Sequence, residues 1–73
     1  MRYYTKKVGF LPPHRYCGAV EVAGMTFISL DSWTKDELAN EAAKNMAELL
    51  TSGIQKEHME DVAKDYRWRR YER

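Results

Sequence analysis

A chain of 73 residues with a formal net charge of +1 has room for one small domain, and two domains are excluded. Such a chain buries only about 60% of the surface its unfolded form exposes, so its core is marginal and a large enclosed active site is not expected. A hydrophobic share of 44% beside 32% charged residues fits a folded chain, and no apolar run approaches the roughly 20 residues that span a bilayer.

The opening segment Met1-Arg2-Tyr3-Tyr4-Thr5-Lys6-Lys7 lacks the apolar stretch of a signal peptide, so the expected compartment is the cytoplasm, with no membrane association. Within it Tyr3, Thr5 and Lys7 alternate with Tyr4, Lys6 and Val8, which predicts a strand at a sheet edge, ending at Gly9 and broken by Pro12-Pro13. Two further strands are expected from Tyr16 to Val22 and from Met25 to Leu30. They would form a hairpin, with Gly24 in the left-handed position of a three-residue loop.

Thr34-Lys35-Asp36-Glu37 has the form of a capping box, flanked by Trp33 and Leu38 as a hydrophobic staple. Leu38, Ala42, Met46, Leu49 and Leu50 then recur at helical spacing as the expected core stripe, with Ala39, Ala43 and Ala47 as a small-residue shoulder. Gly53 is placed to cap this helix, and Ile54 to fold back on its last turn. A second helix would bury Met59, Val62, Ala63 and Tyr66; if it persists, Trp68 and Tyr71 face away from the core.

The expected fold class is α+β: an N-terminal antiparallel sheet of two or three strands, followed by a two-helix hairpin packed on one face. One domain would cover residues 1–73, strand-rich over 1–33, with a first helix over 34–52 and a second over 55–71 that ends basic and aromatic.

Charge is segregated along the chain. Residues 1–33 carry four bases and two acids, 34–63 three and seven, and 64–73 five and two, giving +2, −4 and +3. Part of this order complements helix dipoles, at about 0.3 to 1 kcal/mol per charge. The remainder points to binding: Trp, Tyr and Arg are the residue types enriched at protein hot spots, which nominates Arg67, Trp68, Arg69, Arg70, Tyr71 and Arg73 as a partner-binding surface. A second candidate is the acidic face of Asp36, Glu37, Glu41 and Glu48, suited to a basic groove on a partner.

Chemistry-bearing motifs are sparse. His14 and Cys17 form one short-spaced pair, to which His58 with Glu57 or Glu60 could be added, but structural zinc wants paired ligands, so no metal is expected. A Cys17 nucleophile with a histidine base lacks an orienting third group and an oxyanion hole. Gly9, Gly18, Gly24 and Gly53 are too dispersed for a phosphate-binding loop.

The expectation is therefore a non-catalytic module without cofactors, acting stoichiometrically on another protein or a second copy of itself. Such size and charge segregation are common among small regulators, adaptors and inhibitors, including those of phages and mobile elements. Nucleic-acid binding through the Arg/Trp/Tyr-rich C-terminal segment is the alternative; against it stand an isoelectric point near 7.9 and the acidic first helix.

Overall fold

The computed structural model describes residues 1–72. Its elements run β1 (Arg2–Val8), β2 (Arg15–Val22), β3 (Met25–Ser29), α1 (Asp36–Leu50), α2 (Lys56–Asp65) and β4 (Trp68–Arg70). The strands form one antiparallel sheet in the order β1-β2-β3-β4. The α+β class is as expected, but the sheet has four strands and the last comes after both helices.

The first strand does lie at an edge, paired with β2 from Arg2 opposite Glu21 to Val8 opposite Arg15. β2 and β3 form the expected hairpin, with a tighter connection than a three-residue loop. Val22 pairs directly with Met25, and Ala23 and Gly24 both take positive φ, 52° and 76°. Two consecutive left-handed residues are the geometry of a two-residue hairpin turn matched to the sheet twist.

The largest departure lies at the C-terminus. The second helix stops at Asp65 instead of continuing through residue 71, and Arg67 turns the chain with φ 63°. Trp68, Arg69 and Arg70 then pair with Ser29, Ile28 and Phe27. The pairing is extended at both ends, since Leu30 N–H donates to Arg67 O at 2.8 Å and Tyr71 N–H to Thr26 O at 2.8 Å. Without this strand β3 would leave a row of peptide groups unpaired at an edge. Read at period two, the segment points Trp68 and Arg70 to one face and Arg69 and Tyr71 to the other.

One cross-sheet row sets how closely the layers pack. Thr5 lies opposite Gly18 and Ser29 opposite Trp68, while the Gly18 N–H donates to the buried Ser29 Oγ at 2.9 Å. A Cβ on Gly18 would stand 2.7 Å from the Trp68 ring and 3.2 Å from both the Ala39 carbonyl oxygen and the Ala43 Cβ. The missing side chain is thus the space into which the indole and α1 both fit. Trp68 is only 5% exposed as a result, which overturns its expected place on an outward face.

α1 lies over β1 and β2, and α2 packs against β4, both on the same face of the sheet. The buried stripe of α1 is Ala39, Ala43, Met46, Ala47 and Leu50. The alanines expected as a shoulder are therefore its centre, because a helix seated over a glycine needs small contact residues. Leu38, expected in the core, is 50% exposed, while Ala42 and Leu49 are half-buried at the margin. In α2, Met59 and Ala63 are buried as expected, and Tyr66, beyond the helix end, is 59% exposed.

The capping box does not form. The residue before α1 is Lys35, which makes no side-chain capping bond, so the helix spans 36–50 and not 34–52. Trp33 is held in the sheet by reciprocal backbone bonds to Tyr16, at 2.7 and 2.8 Å, so Thr34 and Lys35 are spent crossing from sheet to helix. Gly53 has φ 95°, the left-handed conformation expected of it, and Ile54 packs against the core. No helix is long and apolar enough to cross a membrane among the described residues.

Candidate interaction surface

The proposed C-terminal cluster is divided between environments. Trp68 belongs to the core with Val20, Phe27 and Leu50. Arg67 is at the turn, its Nε 3.2 Å from both carboxylate oxygens of Asp31. Arg70 projects on the helix side, 3.8 Å from Glu60 and 3.9 Å from Glu72. Arg69 and Tyr71 point to the opposite face, with the Lys6 ammonium 4.4 Å from the Tyr71 ring centre. Arg73 is outside the described residues. The five described residues therefore do not make one surface, and the aromatic anchor expected at its centre is buried.

The acidic candidates are closer to expectation. Glu37, Glu41 and Glu48 are exposed and share the side of α1 opposite its buried stripe, with Lys44 among them. Asp36 is engaged by the Thr5 hydroxyl, which donates to its carboxylate and ties the start of α1 to β1. The acidic stripe thus points away from the sheet.

A different surface emerges at the end of the sheet where three connections meet. The β1–β2 loop (9–14), the β3–α1 segment (30–35) and the α2–β4 turn (66–67) lie together there, as shown by the pairings of Val8 with Arg15, Tyr16 with Trp33 and Ser29 with Trp68. Phe10 is 97% exposed and Leu11 73%, and Leu30 and Tyr66 are more than half exposed on the neighbouring connections. Water contact on this scale costs an apolar side chain about 1.5 to 3 kcal/mol relative to burial. Nothing within the fold relieves it.

The connections are nonetheless tied together. Arg15 donates to the Ser32 hydroxyl and to the Ser32 carbonyl, both at 2.7 Å. Arg67 joins Asp31, and Leu30 N–H joins Arg67 O. Ser29 Oγ, having accepted from Gly18, donates onward to Asp31 O at 2.8 Å. A braced base under exposed apolar tips lowers the ordering cost of docking. The signal in the sequence was an apolar Phe10-Leu11 pair between Gly9 and Pro12-Pro13, a setting where polar residues are usual.

Cys17 is buried and free, the buried His14 Nδ1 has no hydrogen-bond partner among the described residues, and no group of three or more His, Cys, Asp or Glu placed to hold a metal occurs among them. No family model, curated protein sequence or solved structure matches the chain.

Proposed function

We propose that the protein is a non-catalytic interaction module, a small regulator, adaptor or inhibitor that binds a partner protein stoichiometrically through its loop end. The observation that carries this reading is the pair Phe10 and Leu11, the first almost wholly and the second largely exposed beside a hydrogen-bonded base. Phe10 and Leu11 are the anchors, and the fitting partner offers an apolar pocket to receive them. Seating both would contribute about 3 to 6 kcal/mol, the range for two large apolar side chains. Leu30 and Tyr66 extend the contact around them.

The test replaces Phe10 by a photo-crosslinking phenylalanine analogue in the full chain expressed in its native cells, with the same analogue at the exposed Asn40 of α1 as control. The expected result is one dominant adduct from position 10 that is missing from position 40. An adduct of twice the monomer mass identifies the partner as a second copy. No adduct from position 10, or the same adducts from both positions, refutes the reading.

A further inference from the structure

Both helices bury their apolar stripes on one side of the sheet, in a single core with Val20, Phe27 and Trp68, and neither covers the other side. Strand alternation puts Arg2, Tyr4 and Lys6 of β1 on that uncovered side. From the opposite edge come Arg69 and, held in register by its bond to Thr26, Tyr71. Between them the floor is built of Ala19, Thr26 and the half-buried Ile28, with Glu21.

The two edges reach toward each other. Lys6 extends from β1 until its ammonium lies 4.4 Å from the centre of the Tyr71 ring. Three interstrand spacings separate those strands, about 14 Å at 4.8 Å each. The face is therefore a trough, and a solvent-open cavity of about 430 Å³ at its hairpin end is bordered by Tyr4, Lys6, Glu21 and Tyr71, with Arg70 and Glu72 at its lip. A second cation and ring pair, Arg2 over Tyr4 at 4.7 Å, stands on the same edge.

Charge favours an anion. Arg2, Lys6, Arg15 and Arg69 against Glu21 give 4 − 1 = +3 on this face, with Arg15 committed to Ser32 at the loop end and the other three cations left for a ligand. Glu21 takes up part of Arg2, 3.8 Å away, and at the lip Arg70 and Glu72 offset each other at 3.9 Å. Arg69 has no ion-pair partner among the described residues. The acidic stripe of α1, which in the sequence argued against a polyanion, lies across the sheet from the trough.

We infer that the trough is a binding site for single-stranded nucleic acid, independent of the loop end. Ammonium and guanidinium groups neutralise phosphates, and tyrosine rings accept any base by stacking. A duplex keeps its bases stacked on one another and offers none to the tyrosines. An acidic peptide would engage the cations that lie over the two rings but could not stack on them, whereas a base can take the cation's place on either ring. The Trp68 expected to stack is buried, so stacking falls to Tyr4 and Tyr71, and the cations come from β1 as well as from the C-terminal segment.

The test is fluorescence anisotropy of the full chain with short labelled oligodeoxythymidylate and oligouridylate, from about 50 to 200 mM salt, with unlabelled duplex DNA and polyglutamate as competitors. Three phosphate contacts predict a slope of log K against log salt of about −2. Tyr71→Ala and Tyr4→Ala are expected to weaken binding about 10-fold each at fixed salt, with Tyr71→Phe retaining it. Lys6→Ala lowers the slope by about 0.7. Melting curves confirm that each variant is folded, and Phe10→Ser/Leu11→Ser binds like the parent. Absence of binding at the lowest salt, equal competition by duplex or polyglutamate, or undiminished binding by folded Tyr71→Ala and Tyr4→Ala overturns the inference.

Discussion

Replacing Gly18 by alanine adds one methyl group at the point where strand, helix and indole converge. Gly18 does not occupy left-handed backbone space, so the substitution is a test of volume alone. The new Cβ would lie 2.7 Å from the Trp68 ring and 3.2 Å from the Ala39 carbonyl oxygen. The carbonyl belongs to a helix backbone and cannot swing aside, so the indole or the whole of α1 must retreat. Overpacking of this kind costs about 1 to 3 kcal/mol, and the stiffer unfolded chain returns about 0.4 to 1. The net loss centres on about 1.3 kcal/mol, from a total of about 4 to 11 for a chain of this length. At roughly 4 to 8 °C per kcal/mol, Tm falls by about 5 to 10 °C.

Urea and thermal melts of Gly18→Ala followed by fluorescence measure this loss. The same substitution in a Trp68→Phe background removes the ring atom in the way, so it should cost about 1 kcal/mol less there than in the parent. An unchanged or raised Tm for Gly18→Ala, or full additivity with Trp68→Phe, would refute the packing argument.

Other outcomes follow from single contacts. Ser29→Ala leaves the buried Gly18 N–H without its acceptor and should cost about 1 to 3 kcal/mol in a urea melt; a smaller loss means that group finds another partner. Ala23→Gly removes the side chain from a residue at φ 52° in an exposed turn and should raise stability by up to about 1 kcal/mol, whereas a lower Tm contradicts the assigned turn. Trp68→Ala should remove about 3 to 5 kcal/mol, a large part of the stability, and a folded variant with the parent Tm would return Trp68 to the surface.

The N-terminal strands were legible because Tyr3 to Val8 alternate and because Gly9, Pro12-Pro13 and Gly24 punctuate them. Both helices were legible as periodic stripes, though α1 was rotated: leucines were preferred to alanines as core, and the deciding fact was Gly18, distant in sequence, which asks for a close helix. The C-terminal strand was hidden because three residues are too few to display alternation, and because Tyr66 and the basic residues continue a helical pattern. Arg67 in the left-handed region gives no compositional warning, since Gly or Asn would be the usual signal there.

The candidate surfaces shared that fate. A Trp, Tyr and Arg cluster read on a helix becomes, on a strand, one buried ring and two opposed faces. Glu37, Glu41 and Glu48 stay together on one side because α1 is a helix on either reading, while Asp36 is drawn to Thr5 of β1. Phe10 and Leu11 were visible as residues, but their exposure depends on the β1–β2 loop reaching beyond the packed layers, which composition does not encode.

Seating of a partner protein on the loop end, as proposed, depends on Phe10 and Leu11. Calorimetric titration of the crosslinked partner, once purified, against the parent chain and against Phe10→Ser/Leu11→Ser addresses it most directly. The account predicts saturable binding at fixed stoichiometry with a negative heat-capacity change from apolar burial. The double variant, folded and within about 0.5 kcal/mol of the parent in stability, should bind about 100-fold more weakly, equivalent to about 3 kcal/mol. Equal affinity for the two chains would contradict the account and move the docking surface away from Phe10 and Leu11.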